Sequence, residues 1–391
     1  MKIGVYGGSF NPPHKGHINL ADTAVRELGL DKLCIMPVGD PWYKDDSNLA
    51  AGNYRIRMCD LAFNTNEKAV ISDWEIKSKE RNYTVSTIHR IRSEYPDAEI
   101  YLIMGSDMFL TLENWFKFTE LRDMVTFVTA ARLKEIDDEI VKYKSYLEAK
   151  GAKTEILDID VMPVNSTQIR ENLSQKGEDE NITSEVLEYI KQNGLYGFDE
   201  NAYTYPLEKF REIVKKSVDE KRYIHSINVA ESAVYLAEKY GYNPHIAKAA
   251  GLLHDVCKRM DVDKQVEIIR KSRIKWDEIT YSQTKILHGL TAAEYIFNEM
   301  GVYNEDIINS VRYHTTGRPD MSLLEKIVYT ADLISVERDY PDVDYVRKLA
   351  DECLDMAVAY VCEYNLEKLF KSKNPISQIT VETYNYYSVK K

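Results

Sequence analysis

Residues 3–21 read "IGVYGGSFNPPHKGHINLA". A short apolar run ends in Gly7 and Gly8, and two of the chain's 8 histidines, His14 and His17, follow where a helical pattern begins. Glycine lacks a Cβ, so "GGSF" (Gly7, Gly8, Ser9, Phe10) lets the backbone turn sharply and pass close to a ligand. A helix starting near His17 points unpaired N–H groups and the positive end of its dipole into the same crevice, which makes an anion site. His14 from the turn and His17 from the helix start are placed to donate hydrogen bonds to phosphate oxygens, with Gly16 keeping the backbone between them thin.

Around this turn, β-rich runs alternate with helical stretches through about residue 170. The runs cover 2–6, 32–38, 69–76, 99–105, 125–131 and 155–164, and helical stretches such as "GHINLADTAVREL" and "YRIRMCDLAFNT" lie between them. Apolar strands separated by helices predict a parallel sheet covered on both faces, with ligands at the carboxyl ends of its strands. After "LEYIKQNGLYGFDENAYTYP" the alternation stops, and apolar residues recur at helical spacing from Leu207 onward. The expected division is a first domain over 1–196, a polar linker over 197–206 and an all-α domain over 207–391.

The composition, 44% apolar and 29% charged over 391 residues, is that of a soluble protein of two or three domains. No apolar run is long enough for a membrane span, and "KIGVY" leads straight into glycines, so neither a membrane partner nor a signal peptide is expected. The 5 cysteines form no CxxC pair, which points to a reducing cytoplasm. A net charge of −12 argues against nucleic acid as the main partner but leaves room for small phosphorylated ligands. Whether copies associate as a homo-oligomer is open.

The string "GGSFNPPHKGH" resembles the HxGH signature of the nucleotidyltransferase superfamily. The resemblance implies a Rossmann-like α/β domain in which a phosphate of one nucleotide attacks the α-phosphate of ATP in line, pyrophosphate leaves, and Mg²⁺ enters with the ATP. Catalysis of that kind consists of alignment and charge neutralisation. "VNSTQIR" (164–170) follows the last strand, where the superfamily carries SxTxxR. Asn165 or Ser166 can cap a helix there, Ser166 and Thr167 offer hydroxyls to ATP phosphates, and Arg170 adds a cation. His14, His17 and Arg170 are the candidate catalytic groups.

Three further stretches, "RNYTVSTI" (81–88), "IMGSDMFLTLENW" (103–115) and "TAAR" (129–132), look like the bacterial nicotinate mononucleotide adenylyltransferases. That likeness implies that amides near Tyr83 and Thr84 bind the pyridine carboxylate and that Trp115 stacks on its ring. It also implies that Asp107 serves the adenylate side and that Arg132 contacts a phosphate. Trp115 as plain core filling is the rival reading. "DPWYK" (40–44) departs from the usual loop, with Lys44 left as its phosphate-binding cation. An acceptor such as phosphopantetheine is the alternative, and it would leave the Tyr-Thr pair and Trp115 without a role.

The helical half carries His225, the pair His254-Asp255, His288, His314 and Asp332. Spaced over several helices of one bundle, four imidazoles and two carboxylates can converge on metal ions. Six ligands exceed what one catalytic metal uses and suit two, bridged by Asp255, with iron or manganese favoured. The stretches "RYIHSINVAESA" and "HTTGRPDMSLLEKIVYTAD" resemble the HD-domain symmetrical diadenosine tetraphosphatases. The resemblance implies metal-dependent hydrolysis of diadenosine tetraphosphate to two ADP, with His254 and Asp255 at its centre and Lys258, Arg318 and Arg338 on phosphates. "DLISVERDY" departs from relatives in placing Ser335-Val336 where a Glu-Pro pair is usual. A non-hydrolytic nucleotide sensor is the alternative for this half. His89 and His245 match neither set and are read as structural.

Overall fold

The protein is described by a computed structural model covering residues 1–39, 49–78, 81–131, 138–159, 162 and 164–389. Lys44 and Arg132 lie outside the described residues. The chain forms two compact units, one from Met1–Ile190 with Leu195–Phe198, the other from Lys191–Gly194 with Asp199–Lys391.

The first unit is built on six parallel strands: β1 (Lys2–Gly8), β2 (Lys32–Pro37), β3 (Ala69–Ile71), β4 (Glu99–Ile103), β5 (Thr126–Ala131) and β6 (Lys153–Asp158). Their order across the sheet is β3-β2-β1-β4-β5-β6. Strand order reverses beside β1, and in an open parallel sheet the crevice at such a reversal is where ligands bind. The strands read as apolar runs because both faces are covered: Leu33, Ile35, Phe127 and Val128 are all fully buried. This is the expected Rossmann-like α/β domain.

Two expected strands are shorter than their apolar runs. The 69–76 run is a strand only to Ile71 and then turns into the short helix Trp74–Lys77. Among the described residues the 155–164 run is paired only to Asp158, opposite Ala131.

The second unit is helical throughout its described residues, as expected. The helices that matter for its site are Glu220–Tyr240, Pro244–Leu253, Thr284–Met300, Glu305–Tyr313 and Leu323–Ile334. Each of four begins on a polar cap, with Asp219, Asn243, Asn304 and Ser322 accepting first-turn N–H groups. A Cβ on Gly251 would lie 2.8 Å from Ala230 Cα, so the helices bearing His225 and His254 touch backbone to backbone. Gln192 and Asn193 tie the unit's first segment to Gly301 and Tyr303 through their side-chain amides. His245 is structural, accepting the Tyr205 N–H at 2.8 Å, and His89 pairs with Glu120 at the surface. No helix among the described residues is long and apolar enough to cross a membrane.

Two candidate active sites

In the first unit, His14 caps the helix Lys15–Leu28 in extended backbone, and His17 Nδ1 accepts the His14 N–H at 3.2 Å. With Nδ1 occupied as an acceptor, a neutral His17 carries its proton on Nε2 and donates from there. The two rings lie 3.7 Å apart, centroid to centroid. Burial lowers His14 to about 4, against a smaller opposing pull from Asp179. Burial and then the neighbouring His14 hold His17 well below the usual imidazole range. Both rings are therefore neutral at neutral pH, and His14 Nδ1 is buried without a hydrogen-bond partner. A Cβ on Gly16 would meet the His14 ring at 3.1 Å, so glycine is what allows the ring to sit over the turn.

The loop between β1 and this helix is held from several sides. Phe10 has φ 46°, is fully buried and packs its ring 5.0 Å from that of His17. Arg55, also buried, donates to Ser9 O at 3.0 Å and Ala50 O at 2.9 Å. The Tyr196 hydroxyl and Ala50 N–H both donate to Asn11 Oδ1. From the other side the helix Ser166–Lys176, capped by Asn165, reaches the same loop. Ser166 Oγ donates to Pro12 O at 3.0 Å, and Arg170 donates to Asn11 O at 2.9 Å and to Thr167 Oγ1 at 3.3 Å. The segments at 7–17 and 165–170 thus meet as the sequence reading requires, with the Ser166 hydroxyl and one Arg170 nitrogen engaged by loop carbonyls.

The remaining expected groups lie around this centre. Tyr83 precedes the helix Thr84–Glu94 and makes no side-chain capping bond; its carbonyl takes the Ser86 N–H at 2.8 Å, which leaves the Thr84 and Val85 N–H groups to another acceptor. Trp115 is half-buried against the core beneath β4 and β5, while its neighbour Phe116 is exposed and lies tilted against Tyr83, ring centroids 4.2 Å apart. Asp107 is exposed, and its charge reaches the Tyr6 phenol, which burial chiefly and Cys59 and Asp107 further push up. Tyr6 in turn lies 6.1 Å from the His17 ring.

In the second unit the six expected ligands converge. His225 Nε2 is 3.0 Å from Asp332 Oδ1, and His288 Nε2 is 3.0 Å from Asp255 Oδ1. His314 Nε2 lies 3.6 Å from Asp255 Oδ1 and 3.0 Å from His288 Nε2, and His254 Nε2 is 3.6 Å from Asp255 Oδ2. Two groups, His225-His254-Asp332 and His254-Asp255-His314, have donor atoms within 4.8 Å of one another. His254 Nε2 is buried without a hydrogen-bond partner, and His225 Nε2 and Asp255 Oδ1 are buried with close neighbours but no aligned hydrogen bond. Orphaned donor atoms of this kind fit a cation.

The protonation states of His254, His288, Asp255 and Asp332 suit the same purpose. Burial lowers His254 to about 3 and His288 to about 4, so both keep a lone pair free. Burial alone would raise Asp255 and Asp332, but the surrounding imidazoles, with Arg338 for Asp332, hold both well below the carboxylate range. His254 Nδ1 donates to Gly251 O and His314 Nδ1 to Val311 O, each at 2.7 Å, which directs both Nε2 atoms inward. Lys258 Nζ lies 2.9 Å from His288 Nε2 and 3.5 Å from Asp255 Oδ1, and Arg338 binds Asp332. Arg318 is held by Glu325 in a bidentate pair at 2.7 and 2.6 Å.

A cytidylyltransferase-like family profile matches residues 5–172, and an HD-domain profile matches 222–337. A Mycoplasma genitalium protein named "Probable nicotinate-nucleotide adenylyltransferase/Ap4A hydrolase" is 30% identical over 93% of this chain and 97% of its own length. The chain belongs to this adenylyltransferase/Ap4A hydrolase family. Its halves also match separately. A Halalkalibacterium halodurans symmetrical bis(5'-nucleosyl)-tetraphosphatase is 37% identical over 45% of this chain and 94% of its own. A Clostridium tetani "Probable nicotinate-nucleotide adenylyltransferase" is 34% identical over 50% of this chain and 98% of its own. Members of the family are enzymes, and this chain is one, with a nucleotidyltransferase domain followed by an HD hydrolase domain.

Several residues of these sites escape sequence reading. Asn11 lies within the motif but was given no role, and Arg55, Asp179 and Tyr196, which also shape the first site, are ordinary polar residues far from it. Arg222, whose Nη1 is 3.1 Å from Asp255 Oδ2, sits one helical turn before His225, and that i, i+3 spacing was its one available signal. Glu337, against His225 Nδ1, had none.

Proposed function

We propose that the chain is a bifunctional enzyme. One activity transfers the adenylyl group of ATP to nicotinate mononucleotide, giving deamido-NAD and pyrophosphate. The other hydrolyses diadenosine tetraphosphate to two ADP. The observation that carries the reading is the coexistence in one chain of a neutral histidine pair at the end of β1 and a six-ligand cluster with orphaned donor atoms in the helical unit.

At the first site a new P–O bond forms between the acceptor phosphate and the α-phosphorus as the α–β bridge breaks, its electron pair leaving on pyrophosphate. No protein nucleophile is needed. His17 Nε2–H and the Gly16 N–H, the first-turn amide that Asn181 O and His14 O leave over, donate to phosphate oxygens, and an arriving anion raises both imidazoles toward their charged forms. Arg170 and Lys44 supply fixed charge, and ATP enters as its Mg²⁺ complex. Tyr83, Thr84 and Trp115 favour a flat ring carrying a carboxylate, so the acid is preferred to the amide.

At the second site His225, His254, Asp255, His288, His314 and Asp332 would hold two divalent metals, with iron or manganese suiting imidazole and carboxylate ligands. Bound there, the metals supply Lewis-acid chemistry at a phosphate. The protein's own part is to orient the ligands through Gly251 O and Val311 O and to offer Lys258, Arg318 and Arg338 to the remaining phosphates. The five unpaired cysteines suit a reducing cytoplasm. A panel of acceptors with ATP, read by pyrophosphate release, tests the first activity, and ADP release from diadenosine tetraphosphate before and after EDTA tests the second. Metal-loaded protein without hydrolysis would favour a nucleotide sensor, and phosphopantetheine turned over faster than nicotinate mononucleotide would overturn the acceptor.

A further inference from the structure

The segment "DLISVERDY" (332–340) brings Glu337 onto His225. Glu337 Oε1 contacts His225 Nδ1 and accepts from Ser335 Oγ at 2.8 Å, while Oε2 accepts from Asn228 Nδ2 at 2.7 Å. The carboxylate is thus fixed at both oxygens, with its own chain neighbour and a residue one turn along the His225 helix as the clamps.

The need for it follows from where each histidine sits on its helix. His254 and His314 are C-caps of Pro244–Leu253 and Glu305–Tyr313. The carbonyls of the last helical turn have no ladder partner, so Gly251 O and Val311 O are free to accept each Nδ1–H three residues on. His225 has no such option. It is the sixth residue of the 21-residue helix Glu220–Tyr240, where the carbonyl three residues back is committed to the ladder. An imidazole inside a helix needs a side-chain acceptor from elsewhere if its Nε2 is to stay unprotonated toward Asp332. His288, also inside a helix, lies against Lys258 instead.

We propose that Glu337 is a positioning residue of the hydrolase site: it takes the Nδ1–H of His225, fixes the tautomer, and aims Nε2 at the cation shared with His254 and Asp332. The inference rests on the metal-dependent reading of this half but not on the identity of its substrate. Ser335, one of the two residues at which the chain departs from the usual Glu-Pro pair, serves as one of the clamps on Glu337. Ligand-orienting carboxylates of this kind are worth roughly 10–100-fold in metal affinity.

The test uses the full chain stripped with EDTA and titrated with Mn²⁺ alone, free Mn²⁺ being read by electron paramagnetic resonance. Glu337→Ala should weaken the tighter Mn²⁺ site by roughly 10–100-fold, and Glu337→Gln, whose amide oxygen still accepts from Nδ1–H, should recover most of that loss. In the wild type loaded with diamagnetic Zn²⁺, ¹⁵N NMR should show His225 protonated at Nδ1 and not at Nε2. Wild-type affinity in Glu337→Ala, a folded Glu337→Gln as weak as Glu337→Ala, or an Nε2–H tautomer in the wild type would each overturn the proposal. If Glu337→Ala fails to fold, the Gln variant and the tautomer decide. Because no nucleotide is present, a missing tetraphosphatase activity leaves this result standing, and a failed Mn²⁺ result leaves the activity to its own assay.

Discussion

Replacing Gly251 with alanine sets a small steric change against the geometry of a whole site. The added Cβ would lie 2.8 Å from Ala230 Cα, 3.1 Å from Ala230 N and 3.2 Å from Val229 O. All three obstacles are backbone, so no side chain can swing aside, and the helices must part by about 0.6 Å merely to reach ordinary contact. Overpacking of this kind costs roughly 1–3 kcal/mol, and alanine's better helix propensity returns about 1. The expected net loss of stability is therefore only about 0–2 kcal/mol. The functional loss should be larger in proportion. His225 rides on one of these helices and His254 follows the other, and metal–ligand distances tolerate only about 0.2 Å. Mn²⁺ affinity should fall about tenfold or more, with diadenosine tetraphosphate hydrolysis falling alongside while adenylyl transfer is spared. Gly241→Ala is the control: its φ of 72° strains alanine by about 1–2 kcal/mol, but nothing lies within 4 Å to push the helices apart. A Gly251→Ala protein that binds Mn²⁺ like wild type, or a Gly241→Ala protein that loses it equally, would refute the reasoning.

Other outcomes follow from the same geometry. His17→Ala should lower adenylyl transfer by about 10²-fold or more and leave hydrolysis unchanged, and His254→Ala should do the reverse, as separate initial-rate assays would show. In metal-free protein the buried imidazoles of His14, His254 and His288 have lowered affinities for protons, about 4, 3 and 4. The unfolded chain takes up those protons near pH ~6.5, so stability is present above that pH and is lost as pH falls toward about 4. Urea midpoints at about pH 7 and pH 5 should show the drop, and greater stability at the lower pH would contradict it. Asn165→Ala removes the cap on the helix Ser166–Lys176, and should cost about 1 kcal/mol in urea unfolding while raising the Michaelis constant for ATP.

The adenylyltransferase half was legible because its signal is contiguous. A strand, a glycine turn and a helix start occupy neighbouring positions, and each step has a local physical cause. The candidate metal ligands of the helical unit were legible for another reason: His and Asp are uncommon at the edges of apolar helices, and six of them together need explaining. Arg55 and Glu337 carried no comparable mark. Each is a charged residue in a charged neighbourhood of sequence, and its role depends on which carbonyl or ring happens to face it. Strand ends were misjudged at Ile71 and Asp158 because an apolar run does not itself mark where pairing stops: β3 turns into the helix Trp74–Lys77 although β2 runs on to Pro37.

By itself, the sequence determined the alternation of strands and helices, the change to an all-helical second half, and the residue types able to bind phosphate or metal. Those follow from periodicity and side-chain chemistry, which are properties of short stretches. Only the tertiary structure decided that Tyr196 closes on Asn11, that Trp115 backs against the core while Phe116 faces outward, and that Glu337 rather than a backbone carbonyl steers His225. Hydrogen bonds act over about 3 Å, so whether two residues more than a hundred positions apart share one is fixed by packing alone.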